Sequence, residues 1–377
     1  MERKWLVLLA SFLSWFSFLF SMQSIPPIIP AIMSEFAVDY STVSTLILLV
    51  ALPSIALSIV AGFLAQKYNV RKMVSLGLVL TVIGSVASVL TTSFGSFQVA
   101  RLILGIGGAL ITAIAPVSVY QFFEKKEMGV AMGVMGQAMP FATVIAFNSL
   151  GAIQIVNGWR YAVSISVVVS VVCLLVYVLT VKEKKVEARK IELSAIKNRS
   201  IWLLGLVWGF FNMAAVGYST WGKTIFFAFK GQPSAYSDLL ASMFMLGGFA
   251  CPLAGYLSDK VGKRKIFMII STLGNAVVFF AFIFIQQSLF LPFAIMLGVF
   301  DFLIPSVIFA LPEEILGKER SGIGASVLNT CLNMGVVVGP FVIGLILDAT
   351  SSVTFSFLAL GSFMTIGLIL ALAMKVR

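Results

Sequence analysis

One acidic residue stands out by its position. Asp301 lies deep in an apolar segment, about 11 residues or roughly 17 Å from its start and about 15 residues or roughly 22 Å from its end at 1.5 Å per residue. A charge at bilayer depth costs about 2.5–3.5 kcal/mol on insertion scales, so keeping one there calls for a reason. The chain has no histidine, which removes the usual near-neutral proton carrier. Asp301 is therefore the candidate proton-coupling carboxylate or the anchor of a cationic solute; the competing reading is an Asp held permanently by Asn212 or another polar neighbour. Arg101 and Lys223 lie towards the outer ends of their segments. Each either attracts an anion or snorkels to the surface. Arg160, beside Trp159 at an interface, reads as structural. Gln137, Asn212, Asn329 and Asn333 form a ring of amides about 9–18 Å from the inner helix ends. They either bind polar groups of a solute or link helices at about 0.6 kcal/mol each. Trp15 and Tyr218 are candidate apolar walls for that site, or simply packing.

The elements that must hold these residues are apolar almost throughout. The 377 residues are 60% hydrophobic and 11% charged, with a mean hydropathy of +1.05, more apolar surface than a soluble domain can bury. Bilayer-length runs fall at roughly 5–31, 41–66, 72–92, 96–120, 128–156, 159–181, 201–229, 237–258, 265–287, 290–316, 321–347 and 353–374. They are too long for barrel strands and lack the alternation of a membrane barrel. The expected fold class is an all-α integral membrane protein of 12 transmembrane helices.

The net charge of +11 is a topology signal. Of 26 Lys and Arg, all but Arg101, Arg160, Lys223 and Lys230 fall on one side, which makes 22. The positive-inside rule then places both termini and the central loop in the cytoplasm of a cell-membrane protein. The opposite connections carry Glu35, Asp39, Asp238 and Asp348. This distribution gives nucleic-acid binding little support. Cys173, Cys251 and Cys331 all lie inside apolar segments, suggesting neither a disulfide framework nor a metal site. No cofactor is expected. The first apolar run is too long for a signal peptide and no cleavage site follows, so it reads as an uncleaved helix.

The chain is also doubled. Gly62, Gly105, Gly129 and Gly151 recur as Gly255, Gly298, Gly322 and Gly344, each 193 residues later (255−62, 298−105, 322−129, 344−151). Lys67/Lys260 and Lys72/Lys265 keep that spacing. The expected organisation is two pseudo-symmetric six-helix bundles, residues 1–181 and 201–377, joined by a cytoplasmic linker at 182–200. The linker is either a solvated tether or a short amphipathic helix on the membrane surface. Parallel repeats of this kind mark secondary transporters, with the solute site between the halves. Pro53, Pro116, Pro140, Pro252, Pro305 and Pro340 are expected to interrupt their segments. Segments three, six, nine and twelve contain no proline, so they are expected at the lipid-facing periphery.

Several motifs carry a family resemblance over the whole chain. Gly255-Tyr-Leu-Ser-Asp259-Lys260-Val-Gly262-Lys263-Arg264-Lys265 resembles the cytoplasmic loop signature of the major facilitator superfamily. Its twin from Gly62 keeps the glycine and the basic residues but has Gln66 and Asn69 where the signature has Asp and Gly. Arg101-x-x-x-Gly105-x-Gly107-Gly108 is similar to the family's fourth-segment pattern, and Gly158-Trp159-Arg160 to its G-W-R turn. Glu313 and Arg320 resemble an inner-gate pair, for which the first half offers Tyr120 and Glu127. The resemblance implies a cytoplasmic gate built from Gly62, Gly255, Asp259, Lys260, Gly262, Lys263, Arg264, Glu313 and Arg320. Asp259 is expected to accept backbone N–H groups at the start of segment nine.

The expected function is secondary active transport of a small organic solute across the bilayer by alternating access. Protons (H+) are the expected coupling ion, a monomer the working unit, and the two outer cations lean towards an organic anion. A proton-driven exporter of lipophilic cations and a transporter-like receptor or structural subunit are the alternatives. An enzyme would need a metal cluster, a nucleophile with its base, or paired carboxylates; zero histidines and a single deep carboxylate argue against one.

Overall fold

The computed structural model describes residues 3–67, 69–124, 127–182, 198–317 and 321–374. Most of the linker and Arg320 lie outside the described residues, as do the side chains of 58–67, the stretch that contains Gly62. The described residues contain no strand. The helices are α1 (Arg3–Gln23), α2 (Ile29–Phe36), α3 (Tyr40–Lys67), α4 (Val70–Val89), α5 (Phe94–Tyr120), α6 (Met128–Gly136), α7 (Ala138–Asn157) and α8 (Trp159–Thr180). The chain continues with α9 (Arg199–Thr224), α10 (Ser234–Met243), α11 (Cys251–Val261), α12 (Arg264–Ala281), α13 (Phe290–Asp301), α14 (Pro305–Ile308), α15 (Leu311–Leu316), α16 (Ser321–Thr350) and α17 (Val353–Ala373).

The chain divides into two compact units. One comprises Met1–Val38 and Thr45–Arg189, the other Asp39–Ser44 and Lys190–Arg377. The same helix pairings recur inside each. In unit 1, α1 packs on α7 and α8, and α4 on α5 and α8; in unit 2, α9 packs on α16 and α17, and α12 on α13 and α17. Glycine twins explain part of this. A Cβ on Gly105 would stand 2.5 Å from the Val50 carbonyl oxygen, and one on its twin Gly298 would stand 2.9 Å from that of Phe244. Only a residue without a side chain lets backbones approach so closely. The proline-free helices α4, α8, α12 and α17 each expose large apolar side chains, such as Leu76, Ile83, Val168, Leu175, Ile270, Val277, Ile366 and Ile369.

The twelve apolar segments are not twelve continuous helices. Among the described residues, ten helices are long and apolar enough to span a bilayer, and a pair bent by 49°, Ser234–Ala250 and Leu253–Val261, makes an eleventh. Segment ten is broken into α13, α14 and α15, with Pro305 and Pro312 opening the last two. Segment eight passes from α10 through a 3-10 stretch, Phe244–Ala250, into α11. Proline fits the first turn of a new helix, where its missing N–H leaves nothing unsatisfied. Pro53, Pro116 and Pro340, by contrast, lie inside helices that continue through them, so at these positions the expected interruptions do not occur.

Candidate functional site

Asp301 is the last residue of α13, at the break in segment ten. Its partner is not Asn212. Asn275, fully buried on α12, points its Nδ2 at Asp301 Oδ1 from 3.5 Å, at the edge of hydrogen-bond range. The amide oxygen of Asn275 and the hydroxyl of Ser271, one turn earlier on α12, are buried without a partner. A broken helix, a carboxylate and two undersatisfied polar groups thus meet at one level of unit 2. Sequence reasoning missed Asn275; the readable signal was the one amide inside the helical part of a proline-free segment, one turn after Ser271.

Arg101 neither snorkels nor faces an acid. It is 1% exposed, and its guanidinium donates from Nε to Leu46 O (3.1 Å), from Nη1 to Ser21 O (2.9 Å) and from Nη2 to Met22 O (3.1 Å). The reason lies in α1. Met22 O would meet the N–H of residue 26 in a continuing helix, but Pro26 has none. The cation caps the carbonyl end of α1, where the helix dipole favours it.

Lys223 likewise does not snorkel. Its Nζ lies 2.6 Å from Asp238 Oδ2, with the two side chains 1% and 2% exposed. Asp238, read from the sequence as part of an outer connection, is instead buried in the second turn of α10. Tyr218, expected as a wall of the solute site, is core. It is fully buried, donates to Leu240 O at 2.9 Å, and is ringed by Phe244, Phe279, Phe293 and Phe357. Trp15 donates its indole N–H to Ile111 O at 3.2 Å, tying α1 to α5.

The amides bond mostly to their own helices. Asn212 Nδ2 donates to Trp208 O and Asn333 Nδ2 to Asn329 O, both at 2.8 Å. Asn333 Nδ2 also stands 3.5 Å from Asn329 Oδ1 on the same face of α16. Gln137 occupies the break between α6 and α7, and its Oε1 is buried without a donor.

Where α11 turns into α12 in unit 2, Gly262 closes α11 with φ +67. Asp259 does not accept backbone N–H groups as expected. Its Oδ1 takes Arg264 through Nη2 at 2.6 Å and Nε at 3.2 Å. Arg264 also bridges to Glu314, the neighbour of the expected Glu313; Glu313 is exposed. Gly255 lies on α11, where its carbonyl accepts from Ser258 at 2.8 Å, and Lys260 and Lys263 are exposed. In unit 1, Asn69 replaces the glycine and works differently: with φ −65 it caps α4 by accepting Arg71 N at 2.9 Å. Glu127 pairs with Lys4 at 2.8 Å. At the opposite end of unit 1, where α4 has closed and α8 begins, Arg160 holds Glu35 at 2.6 Å, lies 4.3 Å over the Trp159 ring and donates to Thr91 O, contacts that fit a structural role.

Doubled helical units with broken membrane segments and undersatisfied polar groups at depth define a solute-transporter scaffold. Comparison with known proteins agrees: the Major Facilitator Superfamily profile matches residues 7–230 and 223–377, and the chain belongs to that superfamily. A probable sulfoacetate transporter of Cupriavidus necator is 24% identical, over 91% of this chain and 87% of that protein. A hexuronate transporter of Bacillus subtilis is 19% identical, over 80% and 78%. A quinolone resistance protein of Staphylococcus aureus is 24% identical over 53% of this chain and 44% of its own length. In fold, the chain is similar to a bacterial homologue of the human lysosomal transporter Spinster, solved in an inward-facing and occupied conformation. The TM-score is 0.78 at 17% identity, covering 97% of this chain and 96% of that one.

Proposed function

We propose that this protein is a proton-coupled secondary transporter of a small organic anion in the cell membrane, working as a monomer with both termini cytoplasmic. Asp301 is its coupling group. The observation that carries this reading is Asp301 at the end of a broken helix, with one long amide contact and, among the described residues, no hydrogen bond or ion pair to a Lys or Arg. A carboxylate so weakly compensated at bilayer depth is suited to taking up and releasing a proton. The probable sulfoacetate transporter and the hexuronate transporter, which align with 91% and 80% of this chain and whose named solutes are anions, support the solute class. Within unit 2, the Asn212, Asn329 and Asn333 amides would select polar groups on the solute.

The test is uptake into proteoliposomes with sulfoacetate and glucuronate as probes. Wild-type uptake should rise when the outer side is acidified. Asp301→Asn should lose that dependence while keeping exchange of solute for solute. Unchanged pH dependence in the variant would remove Asp301 from the mechanism. A second reading, export of lipophilic cations, draws on the quinolone resistance relative. It predicts that a fluoroquinolone, and neither anion, dissipates a preset proton gradient.

A further inference from the structure

The buried pair of Lys223 and Asp238 has no part in that reading. Such a pair is weak support for a fold, because desolvation offsets most of its attraction, and ionisable groups at membrane depth are functional by default. Asp238 Oδ1 is buried with no donor. The ammonium has three N–H groups, and one is engaged at 2.6 Å. Ser219, one turn earlier on the same face of α9, and Thr224, the next residue, carry buried hydroxyls without partners. The nest therefore holds one acceptor that lacks a donor beside several donors that lack an acceptor. Immediately after Thr224 the helix passes into a π turn, Ile225–Phe229, a distortion found mostly at functional positions.

We propose that Lys223 and Asp238 form a proton-gated anion site. A proton added to Asp238 Oδ1 cancels the charge that holds Lys223; the freed ammonium, with the Ser219 hydroxyl, then binds the carboxylate or sulfonate head of the solute. The charges balance: the pair is neutral, and one proton with one monovalent anionic group leaves it neutral. This inference rests on the organic-anion reading above and gives to Asp238 the proton that reading gives to Asp301, so if it holds Asp301→Asn keeps its pH dependence.

Among the described residues no other titratable group hydrogen-bonds or ion-pairs with Lys223 or Asp238; the start of α3 brings Tyr40, whose ring packs on Trp221 of α9 and Phe229 of the π turn, with Asp39 beside it. α9 contributes Tyr218, bonded to Leu240 O, and Arg199 at its far end; α10 itself carries Tyr236. The π turn and the 3-10 stretch contain no titratable residue, and α13 has only Asp301 at its opposite end. Lys230 lies over the Phe282 ring. On the helices behind α9, α16 has Cys331 and Asp348, α17 has no titratable residue, and α15 has Glu313 and Glu314 at the inner end.

The test measures binding of sulfoacetate, glucuronate and methanesulfonate to purified protein, with proton uptake followed by a pH indicator and carboxyl protonation by difference infrared spectroscopy. For wild type, we expect uptake of one proton per anion and affinity falling about tenfold per pH unit once Asp238 is ionised. Lys223→Gln should weaken binding at least tenfold at every pH. Asp238→Asn should abolish the proton uptake and remove one protonatable carboxyl band. The double variant Lys223→Gln/Asp238→Asn carries no unbalanced charge. It should fold as judged by gel filtration, and lack both binding and proton uptake even if a single variant misfolds. Wild-type proton uptake that persists in Asp238→Asn or in the double variant overturns the proposal, as does failure of all three anions to bind wild type at any pH. Proton-linked transport that survives Asp238→Asn but is lost in Asp301→Asn overturns it too, and leaves the Asp301 reading standing.

Discussion

At the scale of single residues, Arg101 makes the sharpest case that a buried charge in a membrane helix can serve the backbone. Its three carbonyl partners are each met by a different nitrogen of one planar guanidinium, a fork that a single ammonium does not have. Arg101→Lys should therefore lower the unfolding free energy in detergent by about 1–3 kcal/mol, between the value of charged hydrogen bonds in water and the smaller one inside membranes. A thermal unfolding series measures this; an unchanged midpoint would mean that the proline-broken end of α1 needs no cap. The sequence announced that Arg101, Lys223 and Asp301 were important but not what they touch. Periodicity gives the face and depth of a residue, whereas the partners of these three came from breaks and neighbours that periodicity does not encode: Pro26 for Arg101, the inward start of α10 for Lys223, and Asn275 for Asp301.

At the scale of elements, close packing and capping decide which substitutions are tolerated. A Cβ on Gly107 would stand 2.5 Å from the Gly77 carbonyl oxygen where α5 crosses α4, whereas one on Gly133 of α6 meets nothing within 4 Å. Gly107→Ala should then destabilise by about 1–3 kcal/mol through overpacking. Gly133→Ala should be neutral or stabilising by up to about 1 kcal/mol through helix propensity; equal midpoints for the two would refute the contrast. The start of α3 is capped twice. Asp39 Oδ1 accepts Thr42 N at 2.8 Å, and Asp348 accepts Tyr40 N at 2.8 Å and Ser41 N at 2.7 Å through its two oxygens. Asp348→Ala should cost about 0.5–2 kcal/mol, the range for losing a cap. The hydrogen bonds of Thr42, side chain first and backbone second, hold the Asp39 carboxyl below the ordinary carboxylate range. Its cap is thus fully present above that range and is lost only as pH falls through the lowered value, which a denaturation series against pH would follow. The glycine twins were legible because spacing records close approach. The breaks in segments eight and ten were legible at Pro252 and Pro305, but nothing in the sequence separated these from Pro53, Pro116 and Pro340, since the same residue type continues inside α3, α5 and α16 yet opens α11 and α14.

For the whole molecule, the repeat is the feature that sequence conveyed best, because a fixed offset of 193 residues survives where individual motifs have drifted. The two copies preserve tasks more faithfully than residues. Arg71 donates to Val178 O at 2.7 Å at the end of α8, and Lys265 donates to Leu372 O and Met374 O at 3.1 and 2.6 Å at the end of α17. Each is a cation at the start of the third helix of its half, and each satisfies the orphan carbonyls that close the sixth. The proposed topology puts both of these basic ends in the cytoplasm. Single cysteines in a background where Cys173, Cys251 and Cys331 are replaced by serine or alanine test this directly. Gln286→Cys, exposed before α13, should react in intact cells with a membrane-impermeant maleimide; Lys263→Cys, exposed before α12, should react only after permeabilisation. The reverse pattern would invert the molecule in its membrane, and with it the side from which an anion and its proton would enter.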